Sequence, residues 1–413
     1  MVEGAAQLTG AAGLERVDAL IDQLLADHPP GAAEPKEFWT AQYDRGLAWV
    51  HFPEGRGGLG LDPKLQEHVD DRLEKAGAPS NVNVNFMLVG MAGPTLVAMG
   101  TPEQQERFLR PGFACEEIWC QLFSEPGAGS DLAALSTRAV RDGDEWVLNG
   151  QKVWTTLAHV ADWAMVLART DPEQPKHKGL TYFLIDMRQP GVEVRPLRQI
   201  NGEAEFNEVY LTDARTPDSL RVGEVGDGWR VALTTLMNER VAFGHLAKAP
   251  RGSGAVGHAV RLFRQRHAGD GDGHGVWRDR LARSWIDSEL VRLTTLRAQE
   301  LRDRGTPGPE GSVIKLAYTW ATHRAWELCV DLLDEDGLLI SDYEMVRPTV
   351  MGASTLDEDD SADVVKAWIT SLGGTIGGGT SAIGKNVLGE RVLGLPGDVR
   401  TDRDLPWSQV PRS

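Results

Sequence analysis

The sequence predicts an α+β protein in three parts: an N-terminal helical domain (residues 1–118), a middle antiparallel β-domain (119–222) and a C-terminal helical bundle (223–413). Apolar residues recur at helical spacing at both ends and alternate with polar ones between, with the changes of period near 119 and 222. Asp142-Gly143-Asp144 and Asn149-Gly150 punctuate the alternating stretch as hairpin turns. A length of 413 residues suits two or three domains, and no internal repeat is present.

In chain order, Leu14, Val17, Leu20, Ile21, Leu24 and Leu25 line one helix face, and Pro29-Pro30-Gly31 stops that helix. Residues 55–60 form a glycine-rich loop, and 68–75 a helix with a charged face. Thr101-Pro102-Glu103-Gln104 marks a helix start, with Thr101 as N-cap, Pro102 at the first helical position and Gln104 closing a capping box. Short strands follow at 137–140, 146–148, 152–155, 163–167, 180–185, 192–194 and 208–211. Val231, Leu233, Leu236, Met237 and Val241 restore the helical period, which continues through 286–301 and 320–333. Residues 267–274 read as a solvated loop, because His267 and His274 have no further ligand cluster nearby, and 355–363 as an exposed acidic turn.

The charge balance, 43 Lys and Arg against 60 Asp and Glu, gives −17. That field argues against a nucleic-acid backbone or an anionic membrane as partner. Cys115, Cys120 and Cys329 lack any ligand spacing, which excludes a disulfide scaffold and a structural zinc site. With no secretory signal pattern and no long apolar run, the expected location is cytoplasmic.

Three glycine-rich segments invite a nucleotide reading. Gly127-Ala128-Gly129-Ser130-Asp131-Leu132 has Leu132 where a dinucleotide fingerprint needs its third glycine. The run from Gly379 to Gly384-Lys385 has phosphate-loop spacing, but Asn386 replaces the magnesium-holding hydroxyl and no strand precedes it. The segment 55–60 is irregular. What remains is a nest at 126–130, whose backbone N–H groups and Ser130 hydroxyl suit a phosphate. Beside it stands Trp154-Thr155-Thr156, an aromatic wall with two hydroxyls of the kind a flavin ring needs. A tryptophan in a strand is, taken alone, more often core.

Three blocks in order decide between these readings. They are Trp119-Cys120-Gln121-Leu122-Phe123-Ser124-Glu125-Pro126-Gly127-Ala128-Gly129-Ser130-Asp131, then Asn149-Gly150-Gln151-Lys152-Val153-Trp154-Thr155-Thr156, then Gly377-Gly378-Gly379-Thr380-Ser381 with Asn386 and Glu390-Arg391-Val392-Leu393-Gly394-Leu395-Pro396. Together they resemble the acyl-CoA dehydrogenase family across nearly the whole chain. The resemblance implies FAD, with Gln121, Phe123 and Ser124 along the flavin ring, and Gly129 and Ser130 at the pyrophosphate. It puts Trp154 on the flavin face away from substrate, Thr155 and Thr156 beside the ring, with Thr156 close to N5, and Thr380 on the pyrophosphate or ribose side. It also implies an acyl-CoA substrate, an electron-transfer flavoprotein as acceptor, and a homodimer or homotetramer.

The family reaction needs a carboxylate to remove the α-proton, and most members carry it in a Tyr-Glu-Gly-Thr segment near the C-terminus. Here Gly378 stands in that place. Asn238-Glu239-Arg240 resembles a subset of the family whose base sits on this earlier helix, so Glu239 is the expected base, desolvated by Leu236, Met237, Val241 and Phe243. Arg240, about 100° round the helix, is a binding or structural charge. The Gly378 N–H remains a candidate to polarise the thioester carbonyl, and Ser130 to meet the pantetheine arm. Ala382, Gly384, the stretch 333–338 and the missing Arg-x-x-Phe-Gly element after Arg266 depart from the family pattern on the FAD adenosine side. A non-catalytic partner subunit, or an oxidase or hydroxylase of the same fold, are the alternatives.

Overall fold

A computed structural model describes residues 10–32, 34–241, 250–267, 275–304, 308–351, 364–397, 399 and 401–411, with 239–241 and Asp303 described by their backbone alone. The expected loop at 268–274, the acidic turn at 355–363 and Phe243 lie outside the described residues.

The N-terminal part comprises α1 (Ala11–Asp27), α2 (Pro35–Asp44), α3 (Leu65–Lys75), a π-helical turn at Met87–Ala92, α4 (Gly93–Met99) and α5 (Pro102–Phe113). Val17, Ile21 and Leu24 bury the inner face of α1, while Leu14 is left exposed. The capping box at Thr101 forms as its residues dictate: the Thr101 hydroxyl accepts from Gln104 N, and the Gln104 side chain accepts from Thr101 N.

Among the described residues, eight strands then form one sheet: β1 (Trp119–Leu122), β2 (Arg138–Asp142), β3 (Glu145–Thr156), β4 (Trp163–Arg169), β5 (Leu180–Asp186), β6 (Val192–Pro196), β7 (Phe206–Pro217) and β8 (Arg221–Val222). The spatial order is β6-β7-β3-β2-β4-β5-β8, and β1 runs parallel to β4. Gly143, at φ +65°, turns the β2–β3 hairpin. The Asn149-Gly150 turn does not exist; β3 continues through it as a bulge against β7. A Cβ on Gly150 would lie 2.3 Å from the Thr137 hydroxyl, so glycine serves close approach here and not reversal.

Both faces of the sheet are covered. Met165 and Leu167 of β4 join a core with Phe38, Trp49, Phe108 and Trp119, while Val166 packs on the other face with Trp146, Leu148, Phe183 and Ile185.

The C-terminal part holds α6 (Gly228–Val241), α7 (Gly254–Arg266), α8 (Gly275–Asp303), α9 (Glu310–Leu332), α10 (Val364–Ser371) and α11 (Ser381–Val387). Helices α7, α8 and α9 pack around Ala259, Leu262, Leu328 and Leu332. Past α9 the chain returns to the sheet, where Ala204 N donates to Val346 O at 2.7 Å and Val346 N to Gly202 O at 3.1 Å. Cys115, Cys120 and Cys329 are buried free thiols. Among the described residues, no helix is long and apolar enough to cross a membrane.

Candidate active site

The ends of β1 and β3 meet where the first two sequence blocks converge. Val153 N donates to Ser124 O at 3.0 Å, and beneath them lies a buried ion pair. Lys152 Nζ donates to Glu125 Oε1 (2.9 Å), Phe123 O (3.0 Å) and Leu167 O (2.8 Å), using all three N–H bonds of an ammonium. The Glu125 carboxylate also accepts from Ser136 N and Oγ and from Thr137 N. Burial alone would push this carboxyl up, but the Lys152 charge and these donors overcome it and hold it down at about 2. The pair thereby pins the loop that carries Ser124 to Ser130.

In that loop Phe123 is buried edge-on against Tyr182 (centroids 5.8 Å apart), and Ser124 is half-buried. Glu125 and Ala128 exchange backbone hydrogen bonds of 3.0 Å. The nest is therefore shorter than its sequence suggests, since the Ala128 N–H is consumed within the turn. Gly127, Gly129 and Ser130 are exposed.

At the end of β3 the ladder slips between Lys152 and Thr155, and Trp154 takes φ +60°. This left-handed bulge turns the indole outward: Trp154 is 58% exposed, with its ring edge-on to Phe206 at 5.9 Å. Thr155 is buried with a hydroxyl that has no partner, and Thr156 is half-buried. On β1 the Gln121 Nε2 is likewise buried without a partner.

Helix α6 docks beside this group. Thr235 Oγ1 lies 3.0 Å from Thr95 Oγ1 and 3.2 Å from the hydroxyl of Tyr182, the residue that packs on Phe123. Glu239 and Arg240 follow within the same helix, and their side chains lie outside the described residues. The apolar shield expected around Glu239 is not complete, because Met237 is 67% exposed within the single chain.

Gly378 and Thr380 stand apart from this group. Gly378 lines a cleft between α9 and α11 with Ser312, Lys315, Leu316 and Gly384, and Thr380 is the N-cap of α11. Lys315 Nζ donates to the carbonyls of Gly374 (3.0 Å) and Gly379, and the Thr380 hydroxyl caps α11 by accepting from Ile383 N at 3.2 Å.

Sequence models for the acyl-CoA dehydrogenase N-terminal, middle and C-terminal domains match residues 15–116, 120–214 and 226–393 in turn. The acyl-CoA dehydrogenase IpdE1 of Mycobacterium tuberculosis is 41% identical over 314 residues, 76% of this chain and 80% of that protein. The chain belongs to the acyl-CoA dehydrogenase family. A second relative, acyl-CoA dehydrogenase FadE34 of the same organism, is 42% identical over 79% of this chain, though the match spans only 44% of FadE34. Among solved structures, the Tcur3481-Tcur3483 steroid ACAD superposes with a TM-score of 0.70 at 26% identity, covering 95% of this chain and all of that one. The ChsE4-ChsE5 complex of M. tuberculosis gives 0.68 at 26%, covering 95% of this chain and all of that one.

Acyl-CoA dehydrogenases are flavoproteins that bind FAD. The residues of this acyl-CoA dehydrogenase fit such a group: a planar aromatic face is held outward, and the buried Gln121 amide and Thr155 hydroxyl lack partners, as polar atoms reserved for a ligand do. The residues that sequence reasoning left without a role are Lys152 and Glu125. Both stand inside the quoted blocks, and an acidic residue in the first block with a basic one in the second was the available signal.

Proposed function

We propose that this acyl-CoA dehydrogenase removes the α-proton of its thioester with Glu239, with FAD seated against Trp154. The observation that carries the reading is the outward Trp154 on its left-handed bulge, beside the unpartnered Gln121 Nε2. FAD supplies the hydride-accepting chemistry when bound. Gln121, Phe123, Ser124, Thr155 and Thr156 line its ring, Gly129 and Ser130 face its pyrophosphate, and Thr380 meets its far half. Ser130, Arg240 and the Gly378 N–H hold the thioester arm. Glu239 falls four residues beyond Thr235, so its backbone position lies on the side of α6 that reaches Tyr182, the residue that packs on Phe123. A base at that position takes the α-proton as the C–H bond opens, and Glu239→Gln removes the acceptor while keeping shape. The variant should retain FAD and lose about 10²–10⁴-fold in kcat; a wild-type rate on the best substrate of an acyl-CoA panel would overturn the assignment. The named steroid ACAD among the neighbours supports including polycyclic acyl-CoAs in that panel.

A second reading is a subunit completed by a related chain. Gly378 in place of a base, and the exposed Ile286, Leu290 and Leu293 at helical spacing on α8, favour an assembly. Light scattering and flavin content decide it: a yellow homodimer or homotetramer with one FAD per chain removes this reading, and a colourless chain that gains flavin only with a partner supports it. An electron-transfer flavoprotein is the proposed acceptor in either case.

A further inference from the structure

Behind Trp154 lies a polar cluster, buried at Asn207, half-buried at His159 and reaching the surface at Arg347, to which the chemistry assigns no part. Trp154 (φ +60°) and Leu157 (φ +54°) are both left-handed, and they flank Thr155 and Thr156. Side chains with a Cβ hold that conformation only where their surroundings over-determine it. From the β1 side the constraint is the bond from Val153 N to Ser124 O. From the other side it is Asn207, fully buried at the start of β7. Its Nδ2 donates to Thr155 O (3.1 Å) and to Glu205 O (3.0 Å), and that same Glu205 carbonyl accepts from Leu157 N (3.0 Å). The third neighbour of Nδ2 is His159 Nδ1, at 3.3 Å. His159 Nε2 faces the Pro348 carbonyl at 2.9 Å and must donate there, which leaves Nδ1 unprotonated, so the two N–H bonds of Nδ2 are shared among three acceptors, with Nδ1 the most distant. Burial and the adjacent Arg347 charge both push this imidazole down, toward that neutral form. On its other side, Asn207 Oδ1 accepts from Arg347 Nη2 at 3.0 Å. Arg347 and Pro348 belong to the segment that returns from the C-terminal helices and pairs at Val346 with Gly202 and Ala204.

We propose that Asn207 is a positioning residue for the flavin wall, and that Arg347 anchors it to the C-terminal part of the chain. The proposal rests on the reading that Trp154 faces FAD. Asn207 touches neither substrate nor flavin; it fixes the Thr155 carbonyl and, through Glu205, the Leu157 amide, and so fixes the bulge between Lys152 and Thr155. The amide's two ends divide the work. The donor end holds the strand that carries Trp154, and the acceptor end ties it to a segment arriving from more than 130 residues away.

Asn207→Asp separates these ends, because it keeps an oxygen for Arg347 and sets a second oxygen against the Thr155 and Glu205 carbonyls. Arg347→Met removes only the anchor. Both variants and wild type are loaded with FAD and compared by visible circular dichroism of the flavin, hydrogen exchange at the Leu157 amide, and steady-state kinetics. The expected result for Asn207→Asp is an altered flavin dichroism, about tenfold faster Leu157 exchange, and a kcat lowered by about 10–10²-fold with little change in KM, as misplacement of a reacting pair gives. Arg347→Met should shift each readout in the same direction by less. Wild-type dichroism and kcat in both variants, whatever their thermal stability, would overturn the proposal. If Asn207→Asp fails to fold, Arg347→Met alone carries the test. If wild type takes up no FAD, the flavin reading falls and the positioning role with it, while Leu157 exchange still reports whether Asn207 holds the bulge.

Discussion

Beneath Trp154 the structure buries Lys152, Glu125 and Asn207 and hydrogen-bonds all three, whereas the turn at Gly377, Gly378 and Gly379 is exposed and held by Lys315, which donates to the carbonyls of Gly379 and of Gly374 just before the turn. The first region spends buried polar groups to keep one strained backbone geometry. The second spends glycines, with Gly378 at φ +65° and Gly379 at φ +95°, and leaves Ile376 exposed beside them. A network of the first kind is complete within one chain. The second kind lets a backbone N–H approach a ligand closely.

The largest test of this contrast is the ion pair. Lys152→Met leaves Glu125 buried without its cation, which should cost about 3–5 kcal/mol in urea unfolding. The double variant Lys152→Met/Glu125→Leu should regain most of that loss, because a packed apolar pair replaces a buried ionic one at little net cost. A single variant that unfolds within about 0.5 kcal/mol of wild type would show that the loop from Ser124 to Ser130 is held by something else.

Glu205 gives the next effect, with the opposite sign in pH. Burial, and then the Glu203 charge, push its carboxyl from the usual 4.5 to about 7. The folded state therefore binds this proton more tightly than the unfolded one. Its contribution to stability is complete below about pH 4.5 and is lost as the pH rises through about 7. Glu205→Gln should raise stability at pH 8 by on the order of 2–3 kcal/mol and flatten the profile between pH 5 and 8. Glu125 runs the other way: its contribution is complete above about 4.5 and is lost toward about 2. The two slopes can therefore be separated in one titration of unfolding free energy.

The same contrast explains what could be read beforehand. Helix, sheet and helix followed from the apolar period, and the capping box at Thr101 from four adjacent residues, because both are local signals. Asn149-Gly150 misled because a bulge and a hairpin turn ask for the same residue types; the difference lies in Thr137, across the sheet. Helix α7 carries Gly254 and Gly257 and three arginines, Arg261, Arg264 and Arg266, which blur its apolar stripe, and β1 is only four residues long. Around the site, Trp154 and its hydroxyl neighbours were visible as a motif. The clamp at Asn207 was not, since it joins His159, Asn207 and Arg347, and only the fold brings these three together.

The smallest effect falls in the glycine-rich region and concerns Thr380. Its hydroxyl accepts from Ile383 N as the cap of α11, and a hydroxyl that accepts still has one proton to donate. Capping and a contact with FAD are therefore compatible, and a loss of FAD affinity in Thr380→Ala alone would not distinguish them. That variant should cost about 1 kcal/mol through the cap. Thr380→Asp keeps a capping oxygen but supplies no proton and adds a charge, so stability should stay within about 0.5 kcal/mol of wild type. If Thr380 donates to FAD, Thr380→Asp should lose flavin at least as readily as Thr380→Ala despite its greater stability. If it is only a cap, flavin affinity should follow stability, and Thr380→Asp should bind as wild type does. The order of the two variants, more than the size of either effect, then decides whether this part of the chain meets the cofactor or merely ends a turn.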